Sequence, residues 1–342
     1  MIAALAFALQ PAVPDAAPVP REAHLFHDWV IACDNGRRCE AVGVHPEGRE
    51  FEMNGVLMIA RGPDADAPIA LRLVQVDGTL ARLVVYGEAL PVRLIPTEEG
   101  DFSVEVEDRA TFMDRILYAE EIVMQDASGA TIGQISPKGL RNALLYMDEA
   151  QGRLHSQTAL IRTGRGEPAT VPPAPPVPLI RIAPTTTETP LPLSAARIAQ
   201  LRRDSGCAIA DVGGPDEFES HALGGGRTLV LLACGTGAYN LSVVPFVATR
   251  EGREIRIADA PFDLPLEQYE EEEGHRILVN GAWDPESMTL SDFSKGRGLG
   301  DCGSRSTYGW DGARFRLVRR EEMPECRGSI VYVTTWRADI AR

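Results

Sequence analysis

The sequence predicts a mainly β protein, β-sandwich-like or β+α, built as two β-rich domains that each carry a short helix. Three observations predict it. Short apolar or alternating runs recur between Gly, Pro, Asp and Asn breaks, the pattern of strands joined by turns. One window, 167–193, is crowded with proline and divides the 342 residues into two stretches of ordinary domain size. Six cysteines fall two before that window and four after it, as in chains stapled by disulfides.

In chain order, residues 1–21 begin "MIAALAFALQPAVPDAAPVP". They resemble the end of a secretory signal peptide, a short apolar stretch followed by small residues, but lack a basic start. A leader or partial signal peptide is expected here, and with it a periplasmic or secreted protein. No later run approaches the ~18 apolar residues of a membrane span, so no transmembrane segment is expected in the mature chain.

Residues 22–165 form the expected N-terminal domain. "GVLMIA", "IALRLVQV" and "ARLVVY" read as strands. "DFSVEVED" alternates, with Phe102, Val104 and Val106 on one face and Ser103, Glu105 and Glu107 on the other. "ISPKGLRNALLYMDEAQGR" predicts a helix with Ser136 as N-cap, Pro137 at its first position and Gly152 in the left-handed position after its end. Leu140, Ala143, Leu144 and Met147 form its apolar stripe.

Residues 166–193 predict an extended, semi-rigid polyproline II linker, because proline removes backbone donors and fixes φ. An SH3-type ligand is the alternative use. Few packed contacts are expected to cross it, so cleavage should release two folded fragments. Residues 194–342 form the second domain. A short helix starts at a Ser194 cap and stops near Gly206, with Ile198 and Leu201 inward. Strands follow in "RTLVLLAC", "NLSVVPFVA", "REIRIA", "RILVN" and "SMTLSDF". Asp311-Gly312 marks a hairpin in "STYGWDGARFRLV", and "SIVYVTTW" reads as the last strand.

The cysteines are Cys33, Cys39, Cys207, Cys234, Cys302 and Cys326. In "FHDWVIACDNGRRCEA" a hairpin centred on Gly36 sets residues 33 and 39 opposite each other. Opposed non-hydrogen-bonded residues lie about 4.5 Å apart between Cα atoms, within disulfide reach. Zinc wants paired ligands with closer spacing, and a redox pair wants C-x-x-C at a helix start; neither pattern occurs. Among the four later cysteines, the ends of the elements favour Cys207 with Cys234 and Cys302 with Cys326. Each closes a loop worth ~3.5 kcal/mol, but crossed pairings are entropically similar, so energy alone leaves the connectivity open.

These residues carry a resemblance. "FHDWVIACDNGRRCEA", "LRNALLYMDEAQGRL", the proline window, "GAYN" with "VVPF", and "GLGDCG…YGWDGARFRLV…PECRG" together resemble the domain-of-unknown-function family 1176 of exported proteobacterial proteins. The likeness spans nearly the whole chain after the leader. The Trp-Cys-Asp stretch and the helix that follows are also similar to invasion-associated locus B proteins, over the first domain only. The resemblance implies exported, disulfide-bearing β-rich domains and no established activity.

Chemistry-bearing patterns are sparse. A nucleophile elbow, H-E-x-x-H, a Walker loop and S-x-x-K are absent, and no cofactor or metal is expected. "GRGLGDCG" reads as a surface loop ending at a disulfide. His24 and His27 have a spacing that could share a metal, but read better as solvated residues, as does the acidic run Glu270–Glu273. Weak binding candidates are Arg37 and Arg38, which could grip an anion from the stapled turn, and Trp29, which could stack on a sugar if it is not core; Trp310 and Trp336 carry the same ambiguity. The net charge of −15, with Lys138 and Lys295 as the only lysines, argues against nucleic acid and anionic membrane as main partners. The reading is therefore a non-enzymatic envelope binding or accessory module, with an envelope protein or glycan as partner. The alternative is an envelope hydrolase, acting on a glycan or peptide, whose residues converge only in the fold.

Overall fold

The computed structural model describes residues 17–49, 55–76, 80–207, 218–264, 267–268 and 276–342. Most of the expected leader and the run Glu270–Glu273 lie outside the described residues.

The fold is mainly β. In the first half, a seven-stranded antiparallel sheet runs in the order His24–Phe26, Trp29–Cys33, Cys39–Gly43, Val56–Arg61, Ile69–Val74, Phe102–Val104 and Leu94–Pro96. A four-stranded sheet (Thr131–Ile135, Ile122–Gln125, Arg82–Val85, Glu88–Ala89) lies beside it in the sequence. Trp29, Ile31, Leu57, Ile59, Leu71 and Leu73 build one core, closed by helix α1 (Arg109–Ile116) through Phe112 and Ile116. Helix α2 (Leu140–Ala150) closes it with the expected stripe Leu140, Ala143, Leu144 and Met147, every member at most 1% exposed.

Helix α2 begins later than its sequence predicts. The Ser136 hydroxyl donates to Asp28 at 2.5 Å instead of capping the helix, and Gly139 stands at the N-cap with φ 93°. A Cβ on Gly139 would lie 1.7 Å from the Phe26 carbonyl oxygen, so only glycine fits this crossing. Gly152 takes the left-handed conformation expected of it. From the last turn of the helix, Asp148 accepts from the N–H groups of Leu160 and Ile161, and beyond it Arg153 donates to the Ala65 carbonyl at 2.8 Å. The "MDEAQGR" segment thus anchors neighbouring loops.

The alternation in "DFSVEVED" is cut short. The strand ends at Val104, because the Glu105 carboxylate accepts from the Val106 N–H and opens a single 3-10 turn leading into α1. Val106 is 58% exposed. Helix α1 itself was not expected from the sequence.

In the second half, one sheet is built on Phe218–Gly224, Arg227–Thr236, Leu241–Glu251 and Arg276–Val279, with Glu254–Asp259 also paired to Leu241–Glu251. The other orders Ala282–Asp284, Thr289–Lys295, Gly303–Trp310, Phe315–Met323 and Val333–Arg337. Helix α3 (Ala195–Asp204) begins at the expected cap, with the Ser194 hydroxyl accepting from the Arg197 N–H. Its Ile198 and Leu201 are buried beside Cys207 and Cys234.

Two expectations about the division of the chain change. The proline window does form a ladder where its prolines lapse. Leu179–Arg181 pairs in parallel with Asp339–Ala341, a strand past the one expected to be last, and Ile180 and Ile182 are buried in the core of the second half. Many contacts also cross between the halves. Trp29–Cys33 is buried along its whole length because its two faces serve two cores. Trp29 and Ile31 face the first core. Val30 and Ala32 join Val42, Met323, Tyr332 and Val333 in a cluster made by both halves. Side chains on alternate faces of a strand make this possible.

Candidate functional site

The six cysteines form three disulfides, Cys33–Cys39, Cys207–Cys234 and Cys302–Cys326. The first joins directly opposed residues whose Cα atoms are 4.0 Å apart. Its turn is organised by Asp34, whose Oδ1 accepts from the N–H groups of Gly36 and Arg38 at 2.7 and 2.9 Å.

That turn is not the exposed recognition loop its sequence invites. Arg337 Nε donates to Asp34 at 2.6 Å, and Asn35 exchanges two hydrogen bonds with the Arg337 backbone. Arg38 pairs with Glu40 at 3.2 Å, while Arg37 reaches the Pro173 carbonyl and its own carbonyl accepts from Gln151. Trp29 is fully buried, its indole N–H donating to the Ser136 carbonyl at 2.9 Å. Of the three weak binding candidates, Trp29 is therefore core, Arg37 contacts the proline window, and Arg38 keeps a 42% exposed side chain beside Glu40. Trp310 is core and Trp336 is partly buried against it. His24 packs on the Tyr146 ring with centroids 4.6 Å apart. Among the described residues no group of three or more His, Cys, Asp or Glu could hold a metal. No helix among them is long and apolar enough to cross a membrane.

The loop "GRGLGDCG" closes on itself. Asp301 is fully buried, pairs with Arg297 and accepts from the Gly328 N–H at 2.7 Å. A shallow depression of about 390 Å³ lies against the Cys302–Cys326 bridge.

A larger groove, about 770 Å³, opens between the end of α1 and the start of α2. This is within the range of small-ligand sites. One wall is Tyr118 and Glu120, just past α1. The other is Lys138 and Arg141 at the start of α2. His27 lies at the edge, in the turn between the first two strands. Tyr118 is 68% exposed, and its carbonyl accepts from the Tyr86 hydroxyl. The Arg141 guanidinium sits 4.8 Å over its ring, a cation–π contact that holds both residues at the rim. His27 adopts φ 53°, a conformation uncommon outside glycine.

Among the described residues, His27, Lys138 and Arg141 form no ion pair. The lining supplies one carboxylate, Glu120. Two-carboxylate glycoside hydrolysis needs a pair ~5 to ~9.5 Å apart, which this groove does not supply. An exposed aromatic ring flanked by cationic groups suits an anionic ligand with an apolar or ring-shaped part. From the sequence, His27 reads as a solvated residue rather than a metal ligand, Lys138 is notable only as one of two lysines, and Tyr118 and Arg141 were missed. Arg141 lies on the polar side of the α2 stripe, and Tyr118 follows a helix that was not read. Periodicity could have found that helix through Phe112, Met113 and Ile116, but not the meeting of the two helix ends.

Residues 23–339 match the family described as "Protein of unknown function (DUF1176)". The chain is 31% identical over 350 residues to the uncharacterized protein YpfG of Escherichia coli (strain K12), covering 94% of this chain and 93% of that relative. Among solved structures, the invasion associated protein B of Bartonella henselae is similar at 16% identity, over 38% of this chain and 99% of that one, with a TM-score of 0.29.

Proposed function

The chain belongs to this family of unknown function, and from that premise we propose that it is an exported, non-enzymatic binding module of the cell envelope whose groove takes an acidic sugar. The observation that carries the reading is the groove itself: His27, Lys138 and Arg141 line it without ion-pair partners among the described residues, beside the exposed ring of Tyr118. Lys138 and Arg141, cations without ion-pair partners among the described residues in a chain of net charge −15, offer an anion a favourable place. Three disulfides and no free cysteine support an oxidising compartment, as does the signal-like start of the sequence.

The test uses N-acetylmuramic acid as the acidic probe and N-acetylglucosamine as its neutral counterpart, followed by amide NMR. The expected result is carboxylate-dependent shifts at Lys138, Gly139 and Arg141. The double variant Lys138→Met, Arg141→Met should weaken binding by about tenfold or more, the value of a charge-assisted contact. Equal response to both sugars, or shifts confined to another surface, would sink the reading.

A further inference from the structure

The groove is built on the first half of the chain, yet the group that fixes its His27 edge comes from the second. Arg327 is 5% exposed. Its Nη1 donates to the His27 carbonyl at 2.9 Å, its Nε donates to the His45 carbonyl at 2.6 Å, and its Nη2 pairs with Asp28. The second oxygen of Asp28 accepts from Ser136 Oγ at 2.5 Å, and Ser136 Oγ accepts from the Lys138 N–H at 3.3 Å. The Asp28 N–H donates to the Lys138 carbonyl at 3.1 Å. One guanidinium thus holds the backbone of His27 directly and both backbone polar groups of Lys138 through Asp28. Arg327 is itself fixed from either side, by the disulfide at Cys326 and by the hydrogen bond from Gly328 to Asp301.

Resting on the anion-groove reading, we infer that Arg327 is a positioning residue for this site, so that the two halves form one binding unit. The planar fork of arginine reaches three acceptors on separate segments at once. Lysine would keep the charge opposite Asp28 but could not reproduce the fork. Without any cation, Asp28 would be left buried and unpaired, and its segment would shift. The groove would then lose the spacing between His27 and Lys138 before it lost either side chain.

The experiment compares wild type, Arg327→Met and Arg327→Lys in the full chain, by amide NMR and by titration with N-acetylmuramic acid. In Arg327→Met the His27, Lys138 and Gly139 signals should move while that of Ile198 in α3 stays. The probe should bind roughly two- to thirtyfold more weakly, the usual span for a residue acting through others. Arg327→Lys should recover part of both effects. A folded Arg327→Met protein with unmoved groove signals or wild-type affinity overturns the inference. If Arg327→Met does not fold, Arg327→Lys and Asp28→Asn decide it, and wild-type signals and affinity in both overturn it. If wild type shows no carboxylate-dependent response, the groove reading fails. The groove amides alone then decide the positioning: displacement in the variants supports it, and no displacement overturns it.

Discussion

Asp301 shows at the residue scale how a buried carboxylate in this protein is kept ionised. Burial works against the charge, but the Arg297 guanidinium and the Gly328 N–H outweigh it, and the net pKa lies below the ordinary aspartate value. The sign of the pH dependence follows. A pKa lower in the folded than in the unfolded chain adds stability above about pH 4, the unfolded value, and that stability is lost as pH falls through the folded value. Asp301→Asn should therefore lower stability at pH 7 and flatten the decline between about pH 4 and lower pH. Urea unfolding of both proteins at pH 7 and at acid pH checks this; parallel pH profiles would contradict it. Asp28 and Asp34 are each paired with an arginine from near the end of the chain, Arg327 or Arg337. Neither of these two remote pairs is legible in the sequence, because about 300 residues separate the partners and nothing local marks them, whereas Arg297 and Asp301 lie only four residues apart.

At the scale of the element, Gly139 is the position where backbone geometry decides most. It combines φ 93° with a contact that leaves no room for a Cβ against the Phe26 carbonyl. Gly139→Ala should cost about 2 kcal/mol or more, since the left-handed backbone and the steric clash act together. Denaturant unfolding would measure it, and a loss below about 0.5 kcal/mol, the level of a neutral surface change, would refute the crossing argument. Leu144→Ala, which removes a fully buried side chain from the α2 stripe, should cost about 2–5 kcal/mol by the same assay. The α2 stripe, the α3 cap and the first disulfide were legible because each is set by residues a few positions apart. Helix α1 was missed, since its eight residues follow a run with a clean strand alternation that masked the short helical spacing of Phe112, Met113 and Ile116. The start of α2 was misplaced because Ser136, a good cap locally, accepts only from the Lys138 N–H, and the chain first crosses the Phe26 carbonyl at Gly139, where the helix is entered. Tyr118 and Arg141 read as ordinary surface residues until the end of one helix and the start of another are brought together.

At the scale of the whole molecule, a proline-rich composition does not keep a segment from pairing. The window 167–193 has the composition of a linker, yet its "LIRIA" segment pairs with Asp339–Ala341, and the Ala183 N–H donates to the Trp310 carbonyl at 2.7 Å. The stapled turn docks on Arg337, and the faces of Trp29–Cys33 and Cys39–Gly43 turned away from the first core supply Val30, Ala32 and Val42 to the shared cluster. Separation would expose that apolar surface together with the carboxylates of Asp28 and Asp34, and exposure of each buried valine costs ~1.5–3 kcal/mol. A protease site introduced at 184–189, a mostly exposed stretch between the docked strand and α3, should therefore give a nicked protein whose fragments stay together. It should elute at the intact size under native conditions and come apart only in denaturant. Residues 22–165 expressed alone should bind a hydrophobic dye strongly, because the Val30, Ala32 and Val42 surface would face water. Two fragments that elute separately, each with native-like aromatic circular dichroism, would instead establish independent domains and remove the basis for a groove positioned by Arg327 from across the molecule.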